Sequence, residues 1–247
     1  MIKSLLTATV ACFLGFLLPT GAAFSEELSR ELFNGKDLEG WDGLPGVWSV
    51  EEGVIVGRTT ADAPIEANTF LVLKDKVPSD FRLTLEYKIE GGNSGVQYRS
   101  RVVDPKKWIV GGYQADIDSG INHSGIMYEE RGRGILTKRG QRVHVAADGS
   151  KNVEVIADAA ELQKSIHGDD WNTYVIEAIG PRLKHTINDQ LMSDTEDLDP
   201  KKASRDGVLA VQVHTGPPMT VRFRNIRLEA IAPTAGESAD RAGAEAK

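Results

Sequence analysis

Three side chains able to move protons, Asp116, Glu130 and His214, stand among amides, arginines and a tyrosine that recur with the period of a β-strand. Between Gly91 and Gly140, three runs alternate polar and apolar residues: Gly95–Arg101, Tyr113–Asp118 and Ser124–Glu130. Successive strand side chains point to opposite faces. The first run therefore presents Gln97, Arg99 and Arg101 together, and the second presents Gln114, Asp116 and Asp118. The third adds Tyr128 and Glu130, or Glu129 from its other face. Two late runs extend the pattern: Ala210, Gln212 and His214 oppose Leu209, Val211 and Val213, and Arg222 and Arg224 oppose Val221 and Phe223. Long polar side chains of both charge signs make poor core. Gathered on one side of a curved sheet, they would floor a polar cleft equipped with acid, base and hydrogen-bonding groups.

The residue types also exclude chemistries. There is no Ser nucleophile elbow, no glycine-rich phosphate loop ahead of a helix and no HExxH. Retaining glycosidases need two carboxylates about 5–5.5 Å apart. Here the corresponding run is Gln114-Ala115-Asp116-Ile117-Asp118, and the amide that begins it cannot act as a nucleophile. Asp116, Asp118, Glu130 and His214 are ligand types for a hard cation or zinc, without diagnostic spacing. No cofactor is expected, with a divalent metal as the alternative. Each residue also has a plainer reading. Arg99, Arg222 and Arg224 suit ion pairs, and Asp116 with Asp118 suits a solvated strand edge. His185, sharing a face with Leu183 and Ile187, suits a hydrogen-bonded structural histidine, and Tyr128 could pack its ring into a core. His144 and His167 read as surface residues.

The elements that must position these groups are strands. Trp48–Gly57 reads as a hairpin turning at Glu52-Gly53, and Thr69–Leu73 as a short apolar strand. Phe81–Glu90 alternates cleanly, with Phe81, Leu83, Leu85, Tyr87 and Ile89 on one face. Arg142–Ala147, Trp171–Ile179, Arg182–Ile187, Gly207–His214 and Met219–Ala230 follow, separated by turns such as Gly180-Pro181 and Asn188-Asp189. Asp158–Ile166 is the one helical piece. Short strands at regular spacing, without an internal repeat, predict an all-β sandwich or jelly roll in one domain over residues 30–230.

The 247 residues carry a formal charge of −7 without a basic stripe, so nucleic acid is not an expected partner. Lys3, the apolar run Leu5–Leu18 and Gly21-Ala22-Ala23 read as a signal peptide over residues 1–23, too short for a membrane span. The expected location is therefore periplasmic or extracellular. Cys12 lies inside this leader, so the processed chain has no thiol and must rest on a large buried core. Residues 231–247, rich in Ala, Gly, Glu and Asp, read as a disordered tail.

Six segments in order, LFNGKDLEGW, GGNSGVQYRS, GGYQADID, SGIMYEERGRGIL, WNTYVIEAIGPRLKHTIND and GVLAVQVHTGPPMTVRFRNIRLE, resemble the 3-keto-disaccharide hydrolase family, whose domain is also described as a 3-keto-glucoside 1,2-lyase and 3-keto-2-hydroxy-glucal hydratase. The resemblance spans residues 31–229. It implies a concanavalin-A-like jelly roll in exported bacterial proteins acting on a small carbohydrate, with a separate oxidoreductase installing the ketone upstream. A ketone at C3 acidifies the C2 proton; a base removes it, the group at C1 leaves by β-elimination, and water adds back. Such a site needs a base near C2, an acid near the glycosidic oxygen and a donor at the enolate oxygen. The resemblance therefore implies His214, Glu130 and Asp116 as acid and base, and Arg99 or Arg222 at the enolate. Gln97, Gln114, Gln212 and Tyr128 would orient hydroxyls. His185 and Asn188 match the family's His-x-x-Asn pattern, either touching substrate or fixing a turn. A carbohydrate-binding module with the same polar face is the rival expectation. Clustered acid, base and arginine groups favour the enzyme; an exposed aromatic platform would favour the module.

Overall fold

The strand pattern closes into two facing sheets. The computed structural model describes residues 29–168 and 170–232; the expected leader with Cys12 and the tail from 233 onward lie outside the described residues. The first sheet contains β1 (Ser29–Glu31), β3 (Trp48–Glu51), β4 (Val54–Thr59), β6 (Phe81–Glu90), β11 (Gln141–Val145), β12 (Lys151–Val155), β13 (Asn172–Ile179), β14 (Arg182–Ile187), β15 (Gln190–Asp197) and β17 (Met219–Ala230). They run in the order β12-β11-β15-β14-β13-β6-β17-β4-β3, with β1 also paired to β17. The second sheet contains β2 (Trp41–Asp42), β5 (Thr69–Leu73), β7 (Asn93–Asp104), β8 (Ile109–Asp118), β9 (Met127–Glu130), β10 (Gly134–Thr137) and β16 (Val208–Val213). Its order is β10-β9-β8-β7-β16-β5-β2. Pairing is antiparallel except between β11 and β15. The single helix among the described residues, α1 (Ala159–Lys164), starts at an N-cap Asp158 whose carboxylate accepts from the N–H groups of Ala160 and Glu161. The structure is the expected jelly-roll-like all-β sandwich.

Alternation decides what each face carries. Leu83, Leu85 and Phe223 from the first sheet meet Val96, Ala115 and Val211 from the second in one continuous buried cluster, as their phases predict. The Glu52-Gly53 and Asn188-Asp189 turns have positive φ at both residues, the geometry that joins twisted strands tightly. On the outer face of the second sheet lie Gln97, Gln114, Asp116 and Gln212, beside a small apolar cluster of Phe70, Val72, Val110 and Ala210 packed against Trp108.

That outer face is concave because the β7–β8 hairpin curls over it. The ladder slips between Tyr98 and Arg101 and again between Val102 and Asp104, and such bulges bend and twist a strand. The hairpin end reaches across to β5, where the Trp108 carbonyl accepts from Phe70 N–H at 2.9 Å and the Lys107 carbonyl from the Thr69 hydroxyl at 3.0 Å. Gly112 permits the curl. Its φ is +142°, and a Cβ there would stand 2.7 Å from the Ser100 Cα.

Candidate functional site

The curled face holds a cleft of about 370 Å³, within the range of small-molecule sites. Gln114 and Asp116 on β8 and Tyr128 and Glu130 on β9 line one side, and His214 after β16 lines the other. Register explains the convergence. Gln114 stands opposite Tyr128 across the β8–β9 ladder, and Gly112 opposite Glu130. The curl carries Glu130 toward Asn68, and both line the cleft. The Asn68 Oδ1 in turn accepts from Thr215 N–H at 3.0 Å, which fixes the strand end that bears His214.

A one-way hydrogen-bond chain ends on Asp116. The Ser100 hydroxyl donates to Gln97 Oε1 at 2.6 Å, Gln97 Nε2 donates to Gln114 Oε1 at 2.6 Å, and Gln114 Nε2 donates to Asp116 Oδ1 at 2.5 Å. Each amide spends its oxygen on the previous donor, so the polarity is fixed. Asp116 itself is almost fully buried. Burial, with the nearby charges of Glu130 and Asp118 adding to it, outweighs the Gln114 bond and pushes its carboxyl up to about 8. With Oδ1 occupied as an acceptor, the proton resides on Oδ2. Desolvation also raises the Glu130 carboxyl, against the pull of Asn68. It raises the Tyr128 phenol too, with help from Glu130 and Asp116, so that group is a neutral donor.

His214 is oriented for the opposite task. Its Nδ1 lies 2.5 Å from the Thr215 carbonyl, and a carbonyl only accepts, so Nδ1 carries the proton. The lone pair of the neutral ring is then on Nε2, the form a general base requires. The cleft therefore pairs a carboxyl group held protonated with an imidazole held in its acceptor tautomer.

The other expected site residues go elsewhere. Arg99 is displaced by the bulge: its φ is +47° and its side chain leaves the alternation. The guanidinium is buried against the Ser79 carbonyl at 2.6 Å, the Gly180 carbonyl at 2.8 Å and Asp80 at 3.1 Å, on the first sheet's rim. Arg222 belongs to β17 in the first sheet, whose outer face points away from the cleft, and it pairs with Glu90 at 2.6 Å. His185 is fully buried between the sheets, with Nε2 2.9 Å from the Tyr98 hydroxyl and Nδ1 3.2 Å from the Ile126 carbonyl, so the structural reading of this residue holds. Asn188 likewise fixes a turn, donating to the Ser165 carbonyl. Gln97 and Gln212 share the expected face but are fully buried under the curled hairpin, Gln97 as the middle of the chain to Asp116. The lining side chains of Asn68, Asn93 and His123 escaped the sequence reading. Asn68 and His123 sit in loops, where alternation gives no signal; Asn93 begins β7 with the phase of Gln97, one step beyond the run as read from Gly95.

Other surface grooves run beside α1, past Trp171 and along β1. The Trp171 groove carries charge, but its arginines are spent on Glu90 and Glu86. Among the described residues, no group of three His, Cys, Asp or Glu side chains is placed to hold a metal ion, and no helix is long and apolar enough to cross a membrane.

Comparisons with known proteins agree with this architecture. The chain is similar in structure to a candidate glycosyl hydrolase from Parabacteroides distasonis, at 20% identity and TM-score 0.52, covering 87% of this chain and 98% of that one. A second such protein from the same organism gives 18% identity and TM-score 0.51, covering 82% and 99%. A Bacillus subtilis protein of unknown function with a galectin-like fold gives 9% identity and TM-score 0.55, covering 83% and 96%. At these identities the likeness is one of fold. No curated protein matches the chain in sequence. The model of one family, described as a 3-keto-alpha-glucoside-1,2-lyase-like domain, matches residues 29–229. That span takes in both sheets and the whole cleft, and the chain belongs to this family.

Proposed function

We propose that the chain cleaves 3-keto glycosides by removing the C2 proton, expelling the group at C1 and hydrating the unsaturated sugar. The observation that carries this reading is the pairing of Asp116, protonated near neutral pH, with the acceptor tautomer of His214 in one cleft. Elimination needs an acid and a base and no nucleophile. A buried, neutral carboxyl is a poor nucleophile, which disfavours double displacement.

His214 Nε2 takes the C2 proton, and the C–H electron pair forms the enolate toward C3. As the C3 carbonyl re-forms, a C1–C2 double bond appears and the C1–O bond breaks. The leaving oxygen takes the proton from Asp116 Oδ2. The second half reverses these roles: Asp116 accepts a proton from the water adding to C1, and protonated His214 returns one to C2. Asn68 holds the His214 wall through Thr215 N–H, Glu130 lines the cleft beside it, and Tyr128 donates to a sugar hydroxyl. Export, and an oxidoreductase that installs the ketone beforehand, belong to this reading.

Incubation of the protein with a 3-keto disaccharide and with its unoxidised parent, in D₂O, tests it. The expected result is cleavage of the keto sugar alone, with deuterium at C2 of the released sugar. Cleavage of the parent at a similar rate without deuterium would mean ordinary hydrolysis, and binding of both with cleavage of neither would mean a binding module.

A further inference from the structure

The acid–base pair leaves one demand unmet. As the C2 proton departs, negative charge gathers on the C3 oxygen, and among the described residues no arginine or lysine lines the cleft to receive it. His123 is the remaining lining side chain that can carry positive charge. It sits in the loop between β8 and β9, with Nδ1 3.1 Å from Asp118 Oδ2. Asp118 is itself fixed: Oδ1 accepts from Gly120 N–H at 3.0 Å, and Oδ2 from the N–H groups of Asn122 and His123 at 3.3 and 3.2 Å. Arg139 staples the same loop, donating to the carbonyls of Ser124 at 2.8 Å and Ile121 at 2.7 Å. Those backbone bonds close the loop without help from the imidazole, so holding the loop does not account for the ring.

We propose that His123, aligned by Asp118, is the electrophilic catalytic residue of this site, donating Nε2–H to the C3 oxygen of the keto sugar. This rests on the elimination reading above. The Asp118 carboxylate holds the Nδ1–H, so Nε2 is the nitrogen left for substrate, and its donation takes the doubly protonated ring, whose charge the Asp118 carboxylate balances. Placement across the cleft fits. His214 follows β16 at the end of the sheet where Asn93 on β7 faces Asp118 on β8. Two strand spacings, roughly 10 Å, therefore separate the base from the loop bearing His123. A pyranose ring between them can present its C2 proton to one wall and its C3 oxygen to the other. In the step, the C2–H pair forms the C2–C3 double bond, the carbonyl pair moves onto oxygen, and His123 keeps its proton while hydrogen-bonding that oxygen. Asp118 acts through His123 and is a positioning residue.

The test uses 1,5-anhydro-3-keto-glucitol, which has the ketone and the C2 proton but hydrogen in place of a leaving group. Wild-type protein in D₂O should exchange the C2 proton, and the infrared carbonyl band of the bound ketone should shift below its value in solution. His123→Ala should slow exchange by about 10²–10³-fold, the usual cost of one oxyanion donor. Affinity for the analogue should change only a few-fold, and added imidazole should restore exchange. Asp118→Asn should return the carbonyl band part of the way. Exchange in folded His123→Ala within about threefold of wild type would overturn the proposal. So would an unshifted carbonyl band on the wild-type protein, a measurement that needs no variant. Wild-type protein that neither cleaves the keto disaccharide nor exchanges the analogue would overturn the elimination reading and this inference with it, whereas cleavage with normal exchange in the variant removes only His123.

Discussion

Asp116 keeps its proton against the tendency of a carboxyl group because burial outweighs the one strong donor it has, Gln114, while Glu130 and Asp118 add repulsion. Two outcomes follow from that balance. If its proton is the one given to the leaving group, turnover should fall as pH rises through about 8, and Asp116→Asn should lower turnover by about 10²–10⁴-fold, read from initial rates on a 3-keto glucoside. The same substitution should also stabilise the protein at alkaline pH. Between the ordinary value of 3.8 and about 8, the native state binds a proton that the unfolded chain has released, so this site's contribution to stability declines as pH rises across that window. Asparagine removes the decline; melting curves at pH 6 and pH 9 should diverge less for the variant than for wild type. The residues in this balance were legible as a pattern: Gln114 and Asp116 announce themselves by alternation, and His214 by following Gln212. What alternation does not reveal is that Gln97 and Gln114 serve Asp116 rather than a sugar, since that depends on which amide spends its oxygen first. His123 was hidden for a different reason, because a loop has no period to read.

At the scale of the strand, β7 controls the site through what it does at residues 99 to 103. A regular strand would have placed Arg99 beside Gln97, as expected from period two. The bulge inserts a residue, sends the guanidinium to Ser79, Asp80 and Gly180, and leaves Ser100 on the Gln97 face. The same device recurs on β17, where Asn225 has φ +51° and the ladder slips between Arg224 and Arg227. Strand existence was plain in the sequence, with Thr69–Leu73, Phe81–Glu90 and Arg182–Ile187 at their observed bounds. A bulge leaves no comparable mark, because a left-handed arginine looks like any other arginine in a sequence. Arg99→Met should therefore cost stability and spare chemistry: about 3–5 kcal/mol, as for removal of one member of a buried pair, with kcat per folded molecule within about threefold of wild type. A loss of turnover without loss of stability would return Arg99 to the reaction. The converse behaviour is expected one register step away. Gly95 faces Asp116 on the ladder, and a Cβ there would stand 2.6 Å from Gln114 Cγ and Cδ. Gly95→Ala should displace the amide that fixes Asp116, lowering turnover by more than tenfold and moving the alkaline limb of the pH profile, while melting shifts little.

Across the whole molecule, the two sheets divide the labour. The first sheet spends its outer charges on ion pairs such as Arg222–Glu90 and Arg224–Glu86, and the second turns its outer face into the cleft. The sequence offered both polar faces as one surface because phase tells which side of a strand a residue occupies and not which sheet the strand joins. What joins the sheets is largely apolar, with a few buried polar ties, among them Tyr113 to Asp197, Thr137 to Thr195 and the one made by His185. His185 on β14 spans the interface to the Tyr98 hydroxyl on β7 and the Ile126 carbonyl beyond β8, with Tyr98 and Tyr174 edge-on to its ring. Burial is the dominant cause that lowers its imidazole from 6.5 to about 3, so the ring is neutral in the native state. Below about 6.5 the unfolded chain takes up a proton that the native protein refuses until about 3, and stability is lost progressively across that interval. Buried carboxylates such as Asp197, held down by Arg133 and Tyr113, also lose stability in acid, but they do so equally in wild type and in a His185 variant. The difference between the two isolates the histidine. His185→Met should destabilise by about 1–3 kcal/mol at pH 7, where Tyr98 and Ile126 lose a buried partner. That deficit should shrink steadily in urea titrations taken from pH 7 to pH 4. A deficit that stays constant over this range would mean that the imidazole is not held neutral, and that the sheets are joined there by packing alone.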